Sequence, residues 1–299
     1  MHVFVTGGSG QTGPTVVAEL LSVGHTVTGL ARSNAAASRL ESLGATALRG
    51  SLEELGSLRG GAEAADGVLH MAFGGDFADP DDLTRRDTAA IEALGRAAAG
   101  KPFISTSGTL VLPGGRESTE RDEPDVHGIA GFRIPGERVC RDFGGSVVRL
   151  APTVHGPEDH GFVPMLVTTA RESGVSAFVG DGANRWPAVH RRDAAILFRL
   201  ALEQAPAGSV LHGVAENVTF KRIAETIGRK LGLPAVSLAP EEAAAHFPSP
   251  FMARVFGFDG PVSSAGTRRL LGWEPAHAGL LEDLETGDYF TGAVPSPTS

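Results

Sequence analysis

A chain of 299 residues, 41% hydrophobic and 20% charged, holds enough apolar material for one large core or two unequal ones, which excludes disordered, collagenous and repeat architectures. Its net charge of -9 argues against the broad basic face that nucleic acid requires, and the single cysteine, Cys140, rules out an intramolecular disulfide or a cysteine-built zinc site. No apolar run approaches the ~20 residues of a bilayer span, so the expectation is a cytoplasmic protein with neither membrane nor nucleic-acid partners.

Short apolar runs at 2–5, 26–31, 46–48, 68–72, 103–106 and 147–150 have the length of buried strands. Helix-like segments lie between them at 14–23, 36–43, 52–64 and 80–99; in the first, Val16, Val17, Leu20 and Leu21 share one side. Parallel strands need a crossover, almost always a right-handed helical one, so this alternation predicts a Rossmann-type, doubly wound parallel α/β sheet. Beyond Leu150 the rhythm changes, with a long loop, a strand-like run at 177–179, and a Pro- and Phe-punctuated stretch at 233–260. The organisation expected is a nucleotide-binding domain over 1–154 to which 189–215 returns, and a smaller α/β C-terminal cap over 155–188 and 216–293. A mobile Pro/Ser/Thr tail is expected at 294–299.

Directly behind the first strand the chain reads Thr6-Gly7-Gly8-Ser9-Gly10-Gln11-Thr12-Gly13-Pro14. Gly7 permits a tight turn, Gly10 lets backbone approach a pyrophosphate, and Gly13 lets helix pack on strand, while Gln11 and Thr12 bring their N–H groups to the helix N-terminus. Pro14 falls in the first turn, where no hydrogen bond is lost. A functionless glycine-rich turn is the competing reading, and the strand behind and helix ahead count against it. At the end of the second strand, where an NAD site carries an acid, stand Arg32 and Ser33. A guanidinium takes a 2′-phosphate bidentately, so the expected cofactor is NADP(H); a merely solvated arginine is the alternative.

These residues, together with Ser51 and Leu52, with His70-Met71-Ala72-Phe73, with Pro152-Thr153-Val154-His155-Gly156-Pro157 and with Val189-His190-Arg191-Arg192-Asp193, resemble the extended short-chain dehydrogenase/reductase superfamily, the NAD-dependent epimerases and dehydratases, over nearly the whole chain. The resemblance implies that Ser51 and Leu52 approach the adenine, Met71, Ala72 and Phe73 the ribose and pyrophosphate, and Thr106, Pro152, Thr153 and Val154 the rest of the cofactor. It also implies a small-molecule substrate and a homodimer. Typical members use a Tyr-x-x-x-Lys pair that this chain does not supply: its one tyrosine is Tyr289, and none of Lys101, Lys221 and Lys230 falls in the relevant helix. Arg133 and Glu137 occupy the same spacing instead, as in an atypical member of the superfamily.

Ser107 aligns with the hydroxyl that holds a substrate oxygen, against the plainer reading of hydroxyls satisfying strand-end backbone. For the missing acid, Arg133 can stabilise an alkoxide but is a poor proton donor; His127 before that helix and His155 after the sixth strand carry the side-chain type suited to proton exchange, and His190 fits a structural role better, while a packed or exposed non-catalytic role competes for each of the three histidines; Arg133 and His155 are the pair retained. His155, Glu158, Asp159 and His160 lack metal-motif spacing, so no metal is expected. The function expected is an NADP(H)-dependent oxidoreductase acting on a small, partly apolar carbonyl or alcohol, the apolar character inferred from cap aromatics such as Phe162, Trp186, Phe247 and Phe256. A non-catalytic NADP(H)-sensing module that binds a protein partner, and a non-redox isomerase or dehydratase, remain open alternatives.

Overall fold

The computed structural model describes residues 1–74 and 79–291; the tail at 294–299 lies outside them. In chain order the first half runs β1 (His2–Thr6), α1 (Gly13–Ser22), β2 (Thr26–Ala31), α2 (Asn34–Ser42), β3 (Thr46–Arg49), α3 (Leu55–Ala64), β4 (Gly67–His70), α4 (Pro80–Ala97), β5 (Phe103–Gly108), α5 (Ile134–Asp142) and β6 (Ser146–Leu150). There follow β7 (Thr153–His155), α6 (Phe162–Ser173), β8 (Ser176–Val179), β9 (Arg185–His190), α7 (Arg191–Gln204) and β10 (Val210–Gly213). The chain closes with β11 (Glu216–Thr219), α8 (Phe220–Leu231), β12 (Ala235–Leu238), α9 (Pro240–His246), α10 (Pro250–Phe256), α11 (Ala265–Leu271) and α12 (Leu280–Thr286).

The expected alternation builds a seven-stranded parallel sheet in the order β10-β6-β5-β4-β1-β2-β3. Its strands read as unbroken apolar runs because helices cover both faces. Val3, Phe4 and Val5 of β1 are wholly inaccessible, with α1 and α7 packed together on one side and α3, α4 and α5 forming a layer of their own. The strand order reverses between β1 and β4, and in such sheets the crevice outside the carboxyl ends at that reversal is where ligands bind. β10 lies within this sheet, beside β6.

Two smaller sheets, β11-β9-β7 and β12-β8, assemble with α6, α8, α9, α10 and α12 around a second core. Its centre is a mutual packing of aromatics: the Trp186 ring centroid lies 5.6 Å from that of Phe220, and Phe256 lies 5.7 Å from Phe162 and 5.0 Å from Phe247. These five rings are therefore occupied in holding the smaller unit together, and none of them argues for an apolar substrate.

Local boundaries differ from the sequence expectation where side chains intervene. The apolar run 68–72 stops pairing as β4 at His70, because the Met71 and Ala72 N–H groups turn to the carbonyl and hydroxyl of Thr6. Within the punctuated stretch 233–260, Pro240 and Pro250 open helices instead of breaking them, each sitting in a first turn where its missing N–H costs nothing.

Candidate active site

The glycine-rich loop meets the end of β4 at close quarters. Gly7 holds φ 76°, and a Cβ there would lie 2.6 Å from the Ala72 nitrogen. At Gly13 a Cβ would come within 2.1 Å of the Gly7 carbonyl oxygen, whereas at Gly10, whose N–H donates to that same oxygen at 3.0 Å, the nearest atom would be 3.3 Å away. Gly7 and Gly13 thus let backbone touch backbone, and Gly10 keeps a clear outer surface. Thr12, the residue before α1, makes no side-chain cap to the first N–H groups of α1. Beneath the loop, Thr6 Oγ1 and His70 Nδ1 share a 2.7 Å hydrogen bond that ties β1 to β4.

Beyond β2, the exposed Arg32 side chain makes no hydrogen bond or ion pair among the described residues. Ser33 has a local duty, since its hydroxyl accepts from the Ala36 N–H at 3.2 Å and caps α2. Half-buried Ser51 and Leu52 follow β3, and half-buried Met71, Ala72 and Phe73 follow β4. Past β6, Thr153 gives its hydroxyl oxygen to the Trp186 indole N–H at 2.7 Å, which directs that side chain into the smaller core; Pro152 and Val154 on either side are half-buried.

At the end of β5, the buried hydroxyls of Thr106, Ser107 and Thr109 have no hydrogen-bond partner among the described residues, an unusual concentration of unmet polar atoms. Arg133, the residue before α5, donates from Nη2 to the Thr106 carbonyl oxygen and lies 3.5 Å over the centroid of the Phe73 ring, which itself stacks on Phe132. Burial pulls the guanidinium below its ordinary value, while Asp87 and Glu137 pull it back up. Ser107 and Arg133 therefore gather around one strand end, next to residues that follow β4.

His155 stands in the smaller sheet, paired in register with His190. It is 1% exposed, its Nδ1 lies 2.7 Å from Asp283 Oδ2, and its ring meets that of His190 edge-on at 5.4 Å. His127 sits on an exposed loop. His155, Glu158, Asp159 and His160 do not converge: Glu158 pairs with Arg39 at 3.2 Å, and Asp159 binds other partners. Donor atoms of His190, Asp193 and His277 do come within 4.8 Å of one another. There Asp193 already accepts the Ala276 and His277 N–H groups at 3.1 Å and His277 Nδ1 at 2.7 Å, which braces the start of α7.

Sequence reading missed a belt across the glycine-rich loop. Gln11 Nε2 donates to Asp159 Oδ1 at 2.5 Å, and Gln11 Oε1 accepts from the His160 N–H at 3.0 Å. The Tyr289 hydroxyl donates to Asp159 Oδ2 at 2.9 Å and accepts from the Gly156 N–H at 3.1 Å, and Arg191 Nη2 donates to the Gln11 carbonyl oxygen. Burial pushes the Asp159 carboxyl up, and burial together with Asp159 pushes the Tyr289 phenol up, so the sole tyrosine is a neutral fastener of this loop. Its partners lie 133 and 130 positions away, and no periodicity or motif links them.

Residues 3–212 match the model of the NAD dependent epimerase/dehydratase family. The chain is 43% identical over 297 residues to an uncharacterized protein of Schizosaccharomyces pombe, covering 97% of this chain and 100% of that one. It is 27% identical over 224 residues, 70% of this chain and 67% of the relative, to the 4-hydroxy-2-methyl-3-oxo-4-farnesyl-3,4-dihydroquinoline-1-oxide ketoreductase of Stigmatella aurantiaca. In fold it is similar to the dTDP-glucose 4,6-dehydratase DesIV of Streptomyces venezuelae, solved with NAD bound, with a TM-score of 0.79, 18% identity and 97% of each chain covered.

Proposed function

Because the chain belongs to the NAD dependent epimerase/dehydratase family, within the extended short-chain dehydrogenase/reductase superfamily, we propose that it is an NADP(H)-dependent oxidoreductase that interconverts a small carbonyl compound and its alcohol. The observation that carries this reading is the set of unpartnered buried hydroxyls at Thr106, Ser107 and Thr109 beside the Arg133 guanidinium. Polar atoms kept dry and unpaired in a folded chain are suited to a substrate oxygen, and a ketoreductase among the relatives supports a carbonyl.

In this reading Gly7, Gly10, Gln11, Thr12 and Gly13 hold the pyrophosphate, Arg32 and Ser33 the 2′-phosphate, and Ser51, Leu52, Met71, Ala72, Phe73, Thr106, Pro152, Thr153 and Val154 the remainder. The close backbone approach at Gly7 and Gly13 fits such a ligand. When bound, the nicotinamide supplies or accepts the hydride. Ser107 donates a hydrogen bond to the substrate oxygen and fixes its position, and Arg133 offsets the negative charge that develops there. Arg133 is a poor proton donor, so His155 is assigned as proton reserve through Nε2, its Nδ1 being engaged by Asp283.

The test is spectrophotometric. Purified protein mixed with NADPH and a panel of ketones, aldehydes and quinones should lose reduced-nicotinamide absorbance with at least one member. Ser107→Ala should lower kcat about 100-fold with the fold intact, and His155→Gln should lower kcat as well. Nucleotide binding without turnover of any panel member overturns the reading.

A further inference from the structure

The Arg191 side chain opens α7, yet it extends toward the glycine-rich loop. It is 7% exposed, its Nε has no hydrogen-bond partner, and among the described residues its guanidinium forms no ion pair. The two carboxylates whose charge it feels most are committed elsewhere: Asp159 to Gln11, Gly161 and Tyr289, and Glu158 to Arg39. Room for its stem is provided by Gly156, at φ 133°, where a Cβ would lie 2.9 Å from Arg191 Cδ. The chain has thus placed a buried, permanently charged fork next to Gln11 with no carboxylate in direct contact among the described residues.

A buried charge without a partner is costly, and a guanidinium offers five donors in a planar array that fits phosphate oxygens. One of those donors serves the Gln11 carbonyl, which fixes the fork in place, and Nε, buried and without a partner among the described residues, is open to an anion. We propose that Arg191 is a cofactor-binding residue whose guanidinium neutralises the pyrophosphate held by the 7–13 loop, an assignment that rests on reading that loop as a dinucleotide site. Asp159, Gln11 and Tyr289 are its positioning frame: they hold the 156–161 segment over the loop so that the fork enters from the cap side.

The test combines calorimetry and thermal melts on wild type, Arg191→Met and Arg191→Lys, with NADPH, ADP-ribose and inorganic pyrophosphate as titrants. Arg191→Met should weaken NADPH and ADP-ribose by about 10–100-fold, the range expected for hydrogen bonds between charged groups, and Arg191→Lys should recover part of that loss. Without ligand, Arg191→Met should melt no lower than wild type, because it removes an uncompensated buried charge; a merely structural tie to Gln11 would lower the melting temperature. NADPH affinity within about twofold of wild type in Arg191→Met, well inside the effect expected of such hydrogen bonds, overturns the proposal. If wild type binds pyrophosphate through Arg191 but no dinucleotide, the oxidoreductase reading falls and the anion site stands. If wild type binds none of the three titrants, the anion site falls as well.

Discussion

Glu137 on α5 receives three hydrogen bonds from Arg149 on β6: Nε to Oε1 at 3.0 Å, Nε to Oε2 at 3.2 Å and Nη2 to Oε2 at 2.7 Å. Both are nearly inaccessible, at 5% and 2%, and Arg149 lies in register with Ser107 on the neighbouring strand. The pair thus lies beside Ser107 in the sheet, and both Glu137 oxygens are engaged by Arg149, which leaves Glu137 an anchor of β6 rather than a partner of Arg133 despite the four-residue spacing. Removing one member leaves the other buried and uncompensated, so Glu137→Gln should cost about 3–5 kcal/mol, read from urea denaturation. The double replacement Glu137→Leu with Arg149→Met should recover most of that. A single variant within about 1 kcal/mol of wild type would mean that water already screens the pair.

The glycines of the loop should not be equivalent. A methyl at residue 13 would overlap the Gly7 carbonyl, its Cβ only 2.1 Å from the oxygen, and must displace backbone; at residue 10 the same methyl meets that oxygen at 3.3 Å and needs a shift of a few tenths of an ångström. Gly13→Ala is therefore expected to abolish NADPH binding and lower the melting temperature, while Gly10→Ala should leave the apo melt nearly unchanged and weaken binding by about tenfold, the steric cost of a methyl facing the ligand. Differential scanning fluorimetry with and without NADPH reads both. Equal effects at the two positions would show that the loop rearranges freely.

What could be read in advance divides by physical range. The seven-stranded sheet was legible because each strand is a local apolar run and each crossover a local amphipathic helix, as with β1 and α1. The loop was legible because Gly7, Gly10 and Gly13 are adjacent in sequence and sit between a strand and a helix. The belt was not, because Tyr289, Asp159 and Gln11 meet only through tertiary packing. Cap aromatics such as Trp186 and Phe256 carry no mark in the sequence that distinguishes cleft lining from core, and here they are core. Ser33 shows the same ambiguity on a small scale, since a hydroxyl after β2 serves equally well as helix cap or phosphate ligand.

Arg32 is exposed and makes no hydrogen bond or ion pair among the described residues, so replacing it breaks none of their polar contacts. Arg32→Glu should weaken NADPH by about 100-fold or more, through loss of the guanidinium and added repulsion from the 2′-phosphate, and should change NADH affinity by less than about threefold. Fluorescence titration of both nucleotides gives the ratio. An equal loss for both would place the adenosine 2′ position away from Arg32 and remove the basis for preferring NADP(H).

His190 ties acid stability to the seam between the two units. Its Nδ1 accepts the Arg192 N–H at 3.2 Å as the N-cap of α7, and its ring stacks on His277 at 4.9 Å. Burial first, then the neighbouring His155, push its pKa down from 6.5 to about 4, with Asp283 and Asp193 opposing and His277 reinforcing the shift. The folded value lies below the unfolded one, so between these limits the unfolded chain binds the proton and the folded chain does not. Stability from the neutral ring is thus complete above about pH 6.5, declines as pH falls and levels off below about pH 4, a loss of at most about 3 kcal/mol. His190→Asn keeps a capping acceptor and removes the titrating ring. Urea melts near pH 7 and near pH 4.5 should show a smaller decline for the variant than for wild type, whereas parallel declines would assign the acid sensitivity to the surrounding carboxylates.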